Sequence, residues 1–137
     1  MSPPTCDHVV MIVEDDPDVR ESIADVLEDC SYRSLAAANG REALDRLRAS
    51  SHKPCVILLD IMMPVMDGWQ FRQIQRDDPE LGHIPVVVLT AHADIRRVAE
   101  HLAAAASLAK PVQLDVLLDT VSRFCGHDPS HPRARPD

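Results

Sequence analysis

The chain is short of basic residues: 14 Lys and Arg stand against 22 Asp and Glu, a formal charge of −8 over 137 residues. That deficit argues against a general binder of nucleic-acid backbones, which sets cations against phosphates. No apolar run approaches the roughly 18 residues of a membrane span. The start, MSPPTCDHVV, has no basic region leading into a long apolar core, so no signal peptide is expected. The cysteines Cys6, Cys30, Cys55 and Cys125 are scattered with no CxxC pair, and reduced thiols in a cytoplasmic protein are the expectation. Among the seven histidines the HxxxH spacing occurs at His127 and His131, in a Pro-rich tail, and these two are given no metal role. Internal repeats, linkers and a second domain are missing too. No Ser/Thr/Gly-rich phosphate loop follows the first apolar run, which argues against a flavin-binding module.

What is present centres on Val56–Gly68, VILLDIMMPVMDG. Four apolar residues, Val56 to Leu59, run into one carboxylate, Asp60. A short continuous apolar run bounded by turn residues indicates a strand buried on both faces. Open parallel sheets place their sites outside the carboxyl ends of such strands. Taken alone, Asp60 either starts a turn or stands there for chemistry.

The rest of the chain alternates strand and helix. His8–Val13 reads as a first strand, ending at Glu14-Asp15-Asp16-Pro17. Asp16 caps a helix opened by Pro17, with Val19, Ile23, Val26, Leu27 and Cys30 on one face. Tyr32–Ala36 is a weaker strand at a sheet edge. Asn39 and Glu42 form a capping box for a helix that turns Ala43, Leu44 and Leu47 inward. Trp69–Arg76 is a short helix with Phe71 and Ile74 towards the core, and Asp77–Ile84 a polar connection. Pro85–Leu89 is a strand ending at Thr90. Asp94 caps a helix through Leu102. Ser107–Ala109 is weak by propensity and is read as a strand because the alternation needs one. Gln113–Cys125 is the last helix, with Leu114, Leu117, Leu118, Val121 and Phe124 at helical spacing. Residues 1–125 are expected as one domain and 126–137, polar and Pro-rich, as a disordered tail.

Five strands alternating with five helices imply an α/β fold: a doubly wound parallel sheet with helices on both faces. Alternation does not fix the strand order. The flavodoxin-like order 2-1-3-4-5, adopted from that class, sets Glu14 and Asp15 beside Asp60, with Thr90 and Lys110 at neighbouring strand ends. Crowded carboxylates raise one another's pKa unless a cation sits between them. An all-oxygen cluster with few protein ligands suits Mg²⁺, and an aspartate can serve as a nucleophile that becomes an aspartyl-phosphate.

Four segments in order, IVEDDPDV, LLDIMMPVMDG, VVVLTAH and LAKP, resemble the response-regulator receiver domain of two-component signalling, of the stand-alone type. The resemblance covers His8 to Cys125. It implies that Asp60 accepts phosphate from a histidine kinase or a histidine phosphotransfer protein, which docks on the first helix. It implies Mg²⁺ bound by Asp15, Asp60 and the backbone carbonyl of Met62, with Glu14 helping through water. Thr90 would shift towards the phosphoryl group, Lys110 would pair with it, and the Lys110–Pro111 bond would be cis. The resemblance makes the chain a phosphoacceptor and not an enzyme in the ordinary sense. Its output would pass to another protein, by contact or by relay, without membrane or direct nucleic-acid binding.

The chain departs from the family pattern in places. Ser107 stands where many receivers carry an aromatic residue, and Val112 where Phe is usual. A muted rearrangement between Asp94 and Cys125 is therefore expected. Met62 and His92 occupy positions that influence phosphoryl lifetime; His92 either holds water or is simply exposed. Met62 cannot hold an attacking water strongly, so slow self-dephosphorylation is expected, and rapid loss of label would contradict it. Two alternatives remain: a receiver-like binding module without phosphorylation, and a phosphatase of the haloacid-dehalogenase type. The second needs an Asp at position 62.

Overall fold

The computed structural model describes residues 8–91 and 95–125. His92, Asp94 and the tail 126–137 lie outside the described residues. Ten elements alternate: β1 Val9–Val13, α1 Pro17–Asp29, β2 Arg33–Ala37, α2 Gly40–Ala49, β3 Val56–Asp60, α3 Gly68–Asp77, β4 Val86–Thr90, α4 Ile95–Leu102, β5 Ala106–Ala109 and α5 Leu114–Cys125. All strand pairs are parallel and the sheet order is β2-β1-β3-β4-β5, as expected. The chain crosses over between β1 and β3, so their carboxyl ends open a crevice at the sheet's switch point.

Burial follows the apolar runs. Every residue of β3 and β4 is buried, which is why both read as unbroken apolar runs with no alternation. Two cores flank the sheet. Met11, Val13, Ile57, Leu59, Val86 and Val88 face α2, α3 and α4. Val10, Ile12, Val56, Leu58, Val87 and Leu89 face α1 and α5. Edge strands β2 and β5 are only partly buried. Fully burying one such aliphatic side chain contributes about 1.5–3 kcal/mol.

Several local expectations need correction. Glu42 does reach back, but its Oε1 accepts from the Ala38 N–H at 2.6 Å, one residue before the expected partner, while Asn39 Oδ1 accepts from the Glu42 N–H at 2.9 Å. In α3, Phe71 is buried but Ile74 is 36% exposed, and Arg72 and Gln75 take the interior positions instead. Both polar groups are satisfied there: Gln75 Nε2 donates to Leu81 O and Ile84 O, and Arg72 to Leu102 O and Ala103 O. Leu114 opens α5 at 37% exposure, not inward. Cys55 and Cys125 are joined as a disulfide with Cα atoms 5.3 Å apart, contrary to the expectation of reduced thiols. The end of α5 packs at the head of β3 and brings together residues separated by 70 positions. Among the described residues Cys30 is the cysteine that stands outside this disulfide.

Candidate functional site

The site forms where strand ends meet. β1 delivers Glu14 and Asp15, β3 delivers Asp60, β4 delivers Thr90, and the turn after β5 delivers Lys110. Register explains the convergence: Asp60 lies opposite Leu89, Thr90 opposite Ala109, and the Lys110 N–H donates to Thr90 O at 3.0 Å. Glu14 is fully buried, Asp60 and Thr90 are 4% and 2% exposed, and Asp15 is open to solvent. These groups line a cleft of about 650 Å³ together with Asp16, Ile61, Met62, Trp69, Ala91 and Val98.

Local structure pins each acid. The Glu14 N–H donates to Ala37 O at 3.0 Å, and its carbonyl accepts from Arg20 Nη1 at 2.8 Å. Glu14 Oε2 accepts from the Asp16 N–H at 3.1 Å. Asp16 Oδ1 accepts from the Asp18 and Val19 N–H groups at 2.9 and 3.5 Å, so this side chain caps α1 as expected. Beyond Asp60 the loop turns back, and the Gly68 N–H donates to Ile61 O at 2.9 Å. Asp67 and Gln70 close a capping box on α3.

The electrostatics are those of crowded negative charge around one cation. Lys110 Nζ lies 2.8 Å from Glu14 Oε1 and 3.3 Å from Asp60 Oδ1. Glu14 Oε1 is nevertheless buried without a properly directed hydrogen bond, so that contact is ionic. Burial and then the Glu14 charge push Asp60 up to about 7, although Lys110 pulls the other way. Burial alone would lower Lys110, but contact with Glu14 and the charge of Asp60 outweigh it and raise the pKa. One ammonium therefore does not neutralise the cluster. One carboxylate oxygen from each of Glu14, Asp15 and Asp60 lies within 4.8 Å of the others. That all-oxygen donor set, with one buried oxygen left unbonded, fits a hard divalent cation.

The structure thus brings together Glu14, Asp15, Asp60, Met62, Thr90 and Lys110 from the residues named by sequence. His92 lies outside the described residues. The Lys110–Pro111 bond is cis. Sequence reasoning missed Arg20, which holds the Glu14 carbonyl and does not stand at a strand end, so no positional signal marked it; Trp69 walls the cleft.

A parallel sheet with an acidic cluster at its switch point and a lysine on the adjoining strand end defines a class of small signalling domain. The family model of the response regulator receiver domain matches residues 10–122, and the chain belongs to that family. It is 35% identical over 120 residues to the polar-differentiation response regulator DivK of Brucella anthropi, covering 85% of this chain and 95% of that one. Among solved structures it resembles a response regulator from Chloroflexus aurantiacus, at TM-score 0.79 and 30% identity, covering 88% of this chain and 98% of the other. It also resembles the receiver domain of a sensor histidine kinase from Pseudomonas aeruginosa, at TM-score 0.77 and 26% identity, with 88% and 98% covered. That structure is described with a magnesium ion coordinated in its active-site cleft. Among the described residues no helix is long and apolar enough to cross a membrane.

Proposed function

We propose that this response regulator takes a phosphoryl group onto Asp60 from the phosphohistidine of a histidine kinase or phosphotransfer protein inside the cell. The observation that carries this reading is the convergence of Glu14, Asp15 and Asp60 on one point, with Lys110 3.3 Å from Asp60. An Asp60 oxygen attacks phosphorus, the phosphorus–nitrogen bond breaks, and the imidazole leaves with its electron pair. Asp15, Asp60 and the Met62 carbonyl would hold Mg²⁺, with Glu14 acting through water. The ion supplies charge neutralisation, on which phosphoryl transfer depends. Lys110 steadies the phosphoryl oxygens, and the Thr90 hydroxyl donates to them.

The switch draws on the added charge, about −1.5 to −2. Hydrogen bonds to a charged group contribute roughly 1.5–3 kcal/mol each, and inverting a 1:99 equilibrium takes about 5.5 kcal/mol. Contacts from Thr90 and Lys110 approach that only if both form mainly in the active state. Output passes to a protein partner or onward in a relay, from a receiver domain spanning residues 1–125. Met62, 75% exposed, gives no acid for phosphatase chemistry and no firm hold on water, so the acyl-phosphate decays slowly.

Trp69 lines the cleft, so metal entry is readable in its fluorescence. Saturable change on Mg²⁺ addition, lost in Asp15→Ala, is the expected result. Unchanged titration in that variant would remove Asp15 from the metal shell.

A further inference from the structure

Trp69 also lines a second cavity. Between α3 and α4 lies a pocket of about 460 Å³, lined by Trp69, Arg72, Gln73, Arg76, Asp77, His101 and Leu102. That volume is in the range of small-molecule sites. Its charge is the opposite of the acidic cleft. Arg72 is 7% exposed, and among the described residues its guanidinium donates to neutral oxygens alone: Leu102 O at 2.8 Å, Ala103 O at 2.9 Å and Gln75 Oε1. Arg76 follows one turn later on the same helix, a like-charge pair that costs stability. Asp77 stands in the lining, yet among the described residues no carboxylate forms an ion pair with Arg72 or Arg76. Burial and the Arg76 charge both lower the Arg72 pKa, which agrees with positive charge left uncompensated. His101 closes the far side, its ring 6.3 Å from the Trp69 ring with planes 72° apart.

A buried or crowded charge is ordinarily met by an opposite one. The geometry points to a ligand site in which Arg76 and His101 hold the phosphate of a small molecule while the Trp69 indole packs against a flat ring. A nucleoside monophosphate is the simplest such ligand. Arg suits this role because its planar donors match phosphate oxygens. Arg72 acts behind them: it closes the end of α4 and contributes charge without needing to touch the ligand. This site does not depend on the Asp60 reading, because it shares no lining residue but Trp69 with the acidic cleft.

Calorimetric titration with AMP and with inorganic phosphate, at low salt and with a chelator, tests the assignment. Wild type and Asp60→Asn are expected to bind AMP saturably and alike, and to bind inorganic phosphate more weakly. Losing one charge-assisted contact in Arg76→Gln is expected to weaken AMP about tenfold, and His101→Gln to weaken it less. Circular dichroism confirms that each variant is folded. Three results would overturn the proposal: no saturable heat, equal affinity for AMP and phosphate, or affinity unchanged in Arg76→Gln. Loss of binding in Asp60→Asn would assign the ligand to the acidic cleft instead.

Discussion

Asp60 lies 3.3 Å from an ammonium group and still holds its proton up to about pH 7. Burial and Glu14 together outweigh Lys110. The consequence for stability has a definite sign. The folded pKa lies above the unfolded value of 3.8, so the folded state binds more protons between roughly pH 4 and 7, and stability falls as pH rises through that window. At 1.36 kcal/mol per unit the full penalty is of order a few kcal/mol, reduced because the cleft opens to solvent. Asp60→Asn is therefore expected to melt above wild type at pH 8 without metal, and to lose that advantage near pH 4. Melting curves at both pH values check this; an equal gain at both would assign the effect to packing.

The acids of this site were legible in the sequence because Glu14 and Asp60 each follow directly on an apolar run, with Asp15 next after Glu14. Lys110 was legible because Pro111 follows it in a recognisable motif. Arg72 and Gln75 were not. A buried polar residue looks like a surface residue in an amphipathic pattern, and only the carbonyls of Leu81, Ile84, Leu102 and Ala103 make these two interior. Ile74 was placed inward for the same reason: periodicity gives a face, and the interior side of that face depends on neighbours distant in sequence.

Gly68 opens α3 just beyond the loop that leaves the end of β3. A Cβ there would sit 2.7 Å from Asp60 O and 2.8 Å from Ile61 Cα, both backbone atoms that cannot swing aside. Gly68→Ala must therefore move the loop. The expected cost is about 1–3 kcal/mol, the range for overpacking, read as a lower urea midpoint. Mg²⁺ affinity should fall with it, since the displaced atoms belong to Asp60 and its neighbour. A stable variant with unchanged affinity would show that the loop has slack.

At the scale of elements, strand existence was read well and helix ends nearly so. β3 and β4 announced themselves as apolar runs, and Pro17 marked the start of α1. The turn before β5 was harder. The helix was read through Leu102, where α4 ends, but Ala103 then takes a left-handed backbone, φ 52°, where glycine is the usual signal, so nothing in Ala103–Ala106 flagged the turn itself. The Ala103 and Ala104 N–H groups close that end on Glu100 O and Ala99 O at 3.1 and 3.0 Å.

The whole molecule shows what local pattern cannot carry. Alternation gave a parallel sheet, but the β2-β1-β3-β4-β5 order came from the class of fold, and the bonding of Cys55 to Cys125 from neither. No local signal joins residues separated by 70 positions. Closing a loop of that length stabilises the fold by about 4 kcal/mol if the chain-entropy account holds. Reduction, or Cys125→Ser, is expected to lower the melting temperature by roughly 10–15 °C. A reducing compartment would keep the pair as thiols, so alkylation of protein trapped directly from cells measures which form is present. An unchanged melting temperature on verified reduction would mean that α5 is held by packing alone.

The central claim is that strand-end acids gathered by this topology let Asp60 carry a phosphoryl group. Its most direct test is uptake of radiolabelled phosphate from a phosphohistidine donor in the presence of Mg²⁺. Acid-stable, alkali-labile label on wild type, absent from Asp60→Asn and lost on chelation, is the predicted result; equal labelling of the two proteins would contradict the account.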